Sequence, residues 1–414
     1  MVDLLLASPP GSGRTGEWVV LILCFVKADA MQIESVTAHP VNVPLIDLDD
    51  GGVAPYVTNH NDLTDVDRVL VEVDTDEGVT GWGEMRVFLS PATTVSIIED
   101  GIAPLVEGHS PLETETFRRQ LFIEYTNVDL FFAAVEIACW DIIGKVQDTP
   151  IYELLGGWTA PQAESRQRHP GHDAQQEVDV AYCLGILPPE ESRAKAAEIN
   201  AAGYDVLKTK AGRDWRQDVN RIKVMHDEVG GELEFRLDPN QGWTLDQAVR
   251  VGARLDDAGI HLQYMEQPIR VDNHKSLVRL RQRTTQPIGP NEDTYIPHNL
   301  RELIEAGALD VAVVDMTPAG GIAGLRQQAA IADDAGIPMI HHCAFDLGVR
   351  TAAILHAVSG IPGFSLPIDT AYYGWEEDVI KNPLTIEDGA MPIPNGPGLG
   401  VTVDRDAIDR YRVG

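Results

Sequence analysis

Cysteine and long hydrophobic runs are scarce in this sequence of 414 residues. Its four cysteines lie far apart and never in Cys-x-x-Cys spacing, which excludes a disulfide framework and a structural zinc site. No apolar run approaches the roughly 18 residues that a membrane span requires. We therefore expect a cytoplasmic protein with no membrane partner.

Positive charge is scarce too, since 32 Lys and Arg residues against 64 Asp and Glu residues leave a formal charge of −32. Such a surface repels nucleic acid and anionic lipid. Only eight of the basic residues are lysines. An acidic surface that is poor in lysine stays hydrated in concentrated salt, where charge repulsion is strongly screened. We therefore predict a halophilic source, with a merely acidic cytosolic enzyme as the alternative.

Composition and periodicity divide the chain into four segments. Residues 1–30 combine a Gly/Ser/Pro-rich stretch with a short apolar run, which we interpret as a disordered extension or a start-site artefact, with a signal peptide as the alternative. Residues 31–160 show strand patterns and then helical periodicity, as in an α+β domain. Residues 161–394 form a second domain, and residues 395–414 are predicted to pack back on the first.

Eight short apolar runs in the second domain alternate with amphipathic helical patterns, and eight parallel strands close a (β/α) barrel. They span 178–184, 206–210, 235–238, 263–266, 288–292, 311–315, 339–342 and 364–369. Polar residues end these runs at steps of 28, 28, 26, 23 and 27 residues from Lys210 to His342. Because all the strand ends of a barrel meet on one rim, the fold class predicted is α/β, with one polar site on that rim.

Three carboxylates end successive strands, namely Asp238, Glu266 and Glu292. Three carboxylates in register suit one Mg²⁺ ion with open coordination positions, although each alone could pair with an arginine. Lys208 and Lys210 point to the same side of one strand end, where we expect mutual repulsion and a metal to lower their pKa and make one of them a base.

Asp315 and the pair His341 and His342 end neighbouring strands on the other side of the predicted rim. A carboxylate beside a histidine orients it as an acid or base, and we favour His342 over His341. Asp369, on the last strand, could donate a proton to substrate if it is protonated, or pair with an arginine. A metal with a lysine and a histidine on opposite faces suits removal of the proton α to a carboxylate.

Several motifs resemble those of the enolase superfamily, specifically the mandelate racemase/muconate lactonizing enzyme family, over about residues 31–414. They include Lys208-Thr209-Lys210, Gly81-Trp82-Gly83-Glu84, Leu154-Leu155-Gly156-Gly157, Asp238-Pro239-Asn240-Gln241-Gly242-Trp243, Glu266-Gln267-Pro268 and Asp315 five residues before Gly320-Gly321. The resemblance implies a capping domain over a modified barrel, Mg²⁺ on Asp238, Glu266 and Glu292, and a homo-oligomer. It also implies Lys210 as base with Lys208 assisting, and Asp315 with His342 as the opposing pair.

Asp at position 315 resembles the mandelate racemase subgroup, whereas the stretch 343–348 resembles the muconate lactonizing side, where a carboxylate near Asp346 is expected. Substrate specificity in such proteins comes largely from capping-domain loops, here 47–64 with Tyr56, Asn59, His60 and Asn61. These polar groups favour dehydration of a sugar acid or related hydroxy acid. The alternatives are a racemase or epimerase, a cycloisomerase, a glycosidase barrel, and a catalytically silent binding relative.

Overall fold

The computed structural model describes residues 31–126, 128–159, 176–296 and 298–414. The predicted N-terminal extension of residues 1–30 and the predicted domain boundary at 160/161 therefore lie outside the described residues. None of the helices in the described part of the chain is long and apolar enough to cross a membrane.

The first domain is built on an antiparallel sheet. Its strands are β1 (Ile33–Pro44), the two-residue pair β2 (Tyr56–Val57) and β3 (Asp62–Leu63), then β4 (Asp65–Thr75) and β5 (Thr80–Arg86). The three long strands pair in the order β1-β4-β5, and β2 pairs with β3 as a small hairpin of its own. The β2–β3 hairpin lies within the loop that the sequence predicted to carry specificity.

Helices cover one face of this sheet. They are α1 (Pro91–Ser96), a π-helix (Ile97–Ile102), α2 (Ala103–Val106), α3 (Thr114–Tyr125), α4 (Asp129–Val146) and α5 (Ile151–Leu155). Helix α4 packs closely on β5 because Gly81 and Gly83 have no side chain, so that the carbonyl oxygens of Ala138 and Ala134 approach the strand. This close approach fixes the position of β5, whose last residue is Arg86.

In the described part of the chain, eight parallel strands form the second domain: β6 (Glu177–Leu184), β7 (Val206–Lys210), β8 (Glu234–Asp238), β9 (Tyr264–Glu266), β10 (Ile288–Gly289), β11 (Ala312–Val314), β12 (Met339–His341) and β13 (Ile368–Thr370). The intervening helices are α6 (Pro189–Ala201), α7 (Trp215–Val229), α8 (Leu245–Asp256), α9 (His274–Arg281), α10 (Asn299–Ala306), α11 (Met316–Ala319), α12 (Ile322–Asp334) and α13 (Gly348–Gly360). Each strand alternates with helix, as the sequence pattern predicts.

The strands close into a barrel. Pairing runs from β10 through β9, β8, β7 and β6 to β13, and β11 pairs with β12. The amide of Val313 donates to the carbonyl oxygen of Pro290 at 3.2 Å, which joins β11 to the end of β10. A bridge between Met339 and Phe364 joins β12 to the segment before β13. The predicted α/β class, a barrel with an N-terminal α+β capping domain, is therefore confirmed.

The two largest differences from the predicted strands lie at β10 and β13. The expected run 288–292 is a strand only over Ile288–Gly289, because Pro290 follows and Glu292 begins a 3-10 helix, Glu292–Tyr295. The run 364–369 pairs regularly only from Ile368. The short β10 places Glu292 on a turn beyond the strand end.

The C-terminal segment returns to the first domain. After β14 (Ala390–Pro392) pairs with β6, helix α14 (Arg405–Tyr411) packs on β1. The Arg405 guanidinium binds the carboxylate of Glu72 on β4, and the amide of Val413 donates to the carbonyl oxygen of Pro40 at 3.0 Å. These contacts tie the end of the chain to the capping sheet.

Candidate active site

Two lysine side chains leave β7 on the same side because they stand at alternate positions of the strand. Nζ of Lys208 lies 2.7 Å from Oε1 of Glu266 and 2.7 Å from Oδ2 of Asp369. Nζ of Lys210 lies 2.5 Å from Oδ2 of Asp238. All five side chains are buried, so the barrel register gathers two cations and three anions in one place.

The pKa of both lysines is raised, in contrast to the lowered pKa expected from the sequence. Burial alone lowers the pKa of Lys208, but Asp369, Glu266 and Asp238 together raise it well above the ordinary value. Burial likewise lowers the pKa of Lys210, and Asp238 raises it. In this arrangement the neighbouring carboxylates outweigh the repulsion between the two ammonium groups, whereas the expected lowering also drew on a metal ion bound to those carboxylates.

The three predicted metal ligands lie at or just beyond neighbouring strand ends. Asp238 ends β8, Glu266 ends β9, and Glu292 opens the turn after β10. Burial raises the pKa of Glu266 and the charge of Asp238 raises it further. Oε2 of Glu266 and Oε2 of Glu292 are both buried with no hydrogen-bond partner in the described part of the chain. Buried carboxylate oxygens without a donor are costly, and they fit a hard cation such as Mg²⁺.

A second group of two carboxylates and a histidine lies outside the predicted triad. Among the described residues, the potential ligand atoms of Asp272, His274 and Asp293 all lie within 4.8 Å of one another. Asp293, however, already accepts hydrogen bonds from the side chain of Gln267 and the amide of Asp272. Both carboxylate oxygens of Asp293 are therefore already used, whereas Nε2 of His274 is buried without a hydrogen-bond partner in the described part of the chain. This cluster is not among the residues that line the cavity described below.

A carboxylate orients a histidine on the opposite side of the cavity. Asp315 caps the N-terminus of α11 by accepting from the amide of Thr317, and its Oδ2 lies 3.2 Å from Nδ1 of His342. Burial would raise the pKa of Asp315, but the Arg350 guanidinium and His342 hold it well below its usual range. Asp315 is therefore a fixed anion that leaves Nε2 of His342 free to face other groups; that nitrogen lies 4.0 Å from Oε1 of Glu266.

His341 and His342 differ in their surroundings. His341 is fully buried, its Nε2 accepts from the amide of Met316 at 3.0 Å, and burial lowers its pKa to about 4. His342 lines the cavity. The structure therefore places His342 at the site and His341 in the core beside it.

A buried chain of charges joins the Asp315–His342 pair to the capping domain. Arg350, on α13, binds Oδ1 of Asp315 at 2.5 Å and also binds Asp346. Arg68 on β4 binds the same Asp346 at 2.9 Å and Glu84 on β5 at 2.9 Å. Arg68, Glu84 and Arg350 are 0% exposed. Two capping strands therefore help to position the Asp315–His342 pair of the barrel.

Asp369 has two cationic partners. Arg236 donates to its Oδ1 at 2.7 Å, and Lys208 donates to its Oδ2. Burial would raise the pKa of Asp369, but these two cations lower it. An ionised Asp369 cannot donate a proton, so its environment is that of a structural partner of Lys208, and it is not among the residues that line the cavity.

A cavity of about 520 Å³ lies between the barrel rim and the capping domain. Lys208, Lys210, Glu292 and His342 line it from the barrel. Of the predicted specificity loop, the lining residues are Tyr56, Thr58, His60, Asn61 and Leu63. Asn59 instead packs against Gly212 and Gly242.

Other residues in and beside the cavity were not among those predicted from the sequence. Arg86 and Tyr295 line it, and Arg350 supports Asp315 from behind. The motif that ends in Glu84 could have indicated Arg86, because Arg86 stands two residues later and its side chain therefore leaves the same face of the strand. Nothing in the sequence distinguished Arg350 or Tyr295 from other residues of their type.

Comparison with known proteins agrees with this architecture. Residues 191–407 match the family model described as enolase C-terminal domain-like, and residues 45–156 match the N-terminal domain of mandelate racemase / muconate lactonizing enzyme. The chain is 25% identical over 388 residues to N-succinyl-L-Arg/Lys racemase of Bacillus cereus, covering 92% of this chain and 98% of that protein. It is 28% identical over 376 residues to D-xylonate dehydratase of Haloferax volcanii, covering 83% and 85%.

A solved structure gives the same result. The crystal structure of an enolase from Streptomyces coelicolor matches with a TM-score of 0.78 and 29% sequence identity, covering 92% of this chain and 96% of that chain. The two family models together span most of the capping domain and the barrel. The chain is therefore a member of the mandelate racemase/muconate lactonizing enzyme family of the enolase superfamily.

Proposed function

We propose that this protein removes the proton α to the carboxylate of a small organic acid, and that it dehydrates a sugar acid or a related hydroxy acid. One observation carries the proposal. Lys210 and His342, two groups able to transfer protons, enter the same cavity from different strands, and each lies next to a carboxylate that orients it. Two such groups can act on opposite faces of one carbon atom.

Mg²⁺ is the cofactor that we propose, since members of the enolase superfamily are generally Mg²⁺-dependent. Asp238, Glu266 and Glu292 would hold it, a choice supported by the two buried carboxylate oxygens that lack a donor in the described part of the chain. Binding there requires the ammonium groups of Lys208 and Lys210 to shift away from Asp238 and Glu266. When bound, Mg²⁺ stabilises the negative charge that develops on the substrate carboxylate.

Proton transfer is the task of the chain's own residues. Nζ of Lys210 takes the proton from the α-carbon as the neutral amine, a form it reaches only after it separates from Asp238, the carboxylate that raises its pKa. Lys208, held by Asp369, supplies positive charge beside it. On the other face, Nε2 of His342 gives a proton to the β-hydroxyl group, so that the C–O bond breaks and water leaves. The resulting enol becomes a 2-keto acid. Asp315 keeps Nδ1 of His342 bonded throughout and thereby fixes the orientation of the ring.

The rim of the cavity favours a hydroxylated substrate. His60 and Asn61 bring an imidazole and an amide to it. The hydroxyl of Thr58 is used within the loop, since it donates to the carbonyl oxygen of Asn61 and accepts from the amides of His60 and Asn61. His60 is anchored, because its Nε2 lies 3.0 Å from the carbonyl oxygen of Asn240 on the barrel. Polar groups fixed in this way can hydrogen-bond the hydroxyl groups of a sugar acid.

Proton NMR in D₂O with Mg²⁺ and high KCl tests the proposal, on a panel of sugar acids, hydroxy acids and N-acylamino acids. We expect one acid to lose its α-proton signal and form a 2-keto acid. Lys210→Ala should reduce the rates of α-proton exchange and of keto-acid formation by about 10²-fold or more. His342→Asn should abolish keto-acid formation and retain exchange from the Lys210 face. EDTA should stop the wild-type reaction.

Other outcomes point elsewhere. Loss of the α-proton signal with inversion at the α-carbon and no keto acid would establish racemisation or epimerisation, the reaction class of the Bacillus cereus relative. Absence of exchange with every acid, in folded protein supplied with Mg²⁺, would refute the catalytic proposal and leave a silent binding relative.

A further inference from the structure

We propose that Arg86 binds a second carboxylate of the substrate, remote from the reacting carbon, so that the substrate is a dicarboxylic acid. The inference rests on the proposed function and narrows its substrate class. Arg86 is the last residue of β5 and lines the same cavity as Lys210 and His342. It therefore belongs to the capping domain and faces the barrel site.

Arg86 has no anionic partner among the described residues. Its Nε is buried and donates to no acceptor in the described part of the chain. No carboxylate oxygen of that part lies within 4.0 Å of its guanidinium nitrogens, the distance at which the ion pairs of Arg68 and the other arginines are found. Aromatic rings hold the guanidinium instead, with its carbon atom 4.8 Å from the ring centroid of Phe88 and 5.5 Å from that of Tyr295. A guanidinium held in this way keeps its planar set of donors available.

The fully buried arginines around the site, in contrast to the half-buried Arg86, are all paired. Arg68 binds Glu84 and Asp346, Arg236 binds Asp369, and Arg350 binds Asp315 and Asp346. In a chain with twice as many acidic as basic residues, an unpaired cation in a cavity is an exception. A buried donor without an acceptor is unfavourable, so the exception points to an acceptor that arrives with the ligand.

Arg86 and His342 are both neighbours of one aromatic ring. The centroid of the Tyr295 ring lies 5.5 Å from the guanidinium carbon of Arg86 and 6.5 Å from the ring centroid of His342. Asp65 and Asp67 also line the cavity, but both carboxylates accept from the side-chain amide of Asn42 at 2.8 Å. The second carboxylate is therefore expected beside Tyr295.

Matched pairs of acids test this subsite. Each pair has the same carbon chain and hydroxyl groups, and differs only in a terminal carboxylate or CH₂OH: tartrate and threonate, xylarate and xylonate, galactarate and galactonate. Dissociation constants are measured by calorimetry with Mg²⁺ and high KCl, in protein that carries Lys210→Ala so that no turnover occurs. We expect at least one diacid to bind about tenfold or more tightly than its monoacid.

Three further proteins in the same background complete the test. Arg86→Met keeps an apolar stem beside Phe88 and Tyr295 but removes the charge, and should abolish the preference for the diacid. Arg86→Lys should keep part of it. The control is Arg216→Met, since Arg216 also stacks on a ring, that of Trp215 at 4.4 Å, but is exposed and outside the cavity; it should keep the full preference.

Several results would overturn the inference: no diacid binds more tightly than its monoacid, or Arg86→Met retains the preference, or Arg216→Met loses it equally. Failure of the proposed function is measured in a separate experiment, as α-proton exchange by protein that retains Lys210. Exchange of the α-proton of a monoacid at equal rates in the wild-type enzyme and in the Arg86→Met variant, without any preference for a diacid, leaves the chemistry standing and removes the subsite. Diacid binding that depends on Arg86, without exchange by the enzyme that retains Lys210, supports the subsite and removes the chemistry.

Discussion

Removal of the Arg350 guanidinium should destabilise the fold strongly. Arg350 is 0% exposed and is shared by Asp315 and Asp346. Arg350→Met fills a similar volume but leaves two buried carboxylates without their common cation. Removal of one partner from a buried ion pair costs about 3–5 kcal/mol. We expect a value of about 3 kcal/mol, at the low end, because Asp346 keeps Arg68 and Asp315 keeps His342.

Urea unfolding followed by circular dichroism at high KCl measures this cost as a shift of the midpoint. The matched control is Arg301→Met, because Arg301 binds Glu305 one helical turn away on the exposed surface, where an ion pair contributes about 1 kcal/mol or less. Arg350→Lys keeps the charge and should cost less than Arg350→Met. A loss with Arg350→Met no greater than that of the surface control would refute the reasoning.

Three further predictions concern the pH dependence, packing and salt dependence of the fold. Burial raises the pKa of Glu136 from 4.5 to about 7, so the folded state holds this proton more firmly than the unfolded state, and the free energy of unfolding should fall by about 3 kcal/mol as pH rises between those values. Unfolding curves of Glu136→Gln should lack this pH-dependent component, and parallel pH profiles of the variant and the wild type would contradict the prediction. A Cβ at Gly83 would lie 1.8 Å from the carbonyl oxygen of Ala134, whereas one at Gly101 would meet nothing within 4 Å; Gly83→Ala should therefore cost about 1–3 kcal/mol or more and Gly101→Ala should not, and equal midpoints in urea would show the packing argument to be wrong. With a formal charge of −32, the melting temperature should rise with KCl concentration; a melting temperature independent of KCl would count against the halophilic prediction.

The barrel and the residues on its rim could be predicted because both follow from local patterns. Apolar runs give the strands, and parallel closure brings the ends of the strands together wherever they occur in the sequence. Lys208 and Lys210 share one side of β7 because strand side chains alternate, which needs no tertiary information. The turn that carries Glu292 could not be predicted in the same way, because the end of β10 depends on how Pro290 is accommodated.

Pairings between distant residues could not be predicted. Arg68 and Asp346 lie 278 positions apart, and no local pattern joins them. The same limit applies to the electrostatics of the two lysines. Their proximity to each other is visible in the sequence, but the approach of Asp369 from the last strand is not, and its charge helps to reverse the direction of the shift at Lys208. Electrostatic environment is a property of the assembled barrel.

The capping domain contributes to the site in two different ways. Its β2–β3 hairpin and Arg86 face the ligand cavity. Its strand residue Glu84 instead accepts hydrogen bonds from the amides of Leu347 and Arg350 at the start of α13, at 2.9 and 2.8 Å. Arg350 in turn holds Asp315. Because Glu84 and Arg86 are two positions apart on one strand, any shift of β5 that moves the proposed carboxylate subsite also displaces the support of the Asp315–His342 pair. None of the ion pairs in this chain of charges, among the described residues, involves the β2–β3 hairpin. Substitutions that alter substrate specificity should therefore disturb the Asp315–His342 pair less when they fall in this hairpin than when they fall in β5.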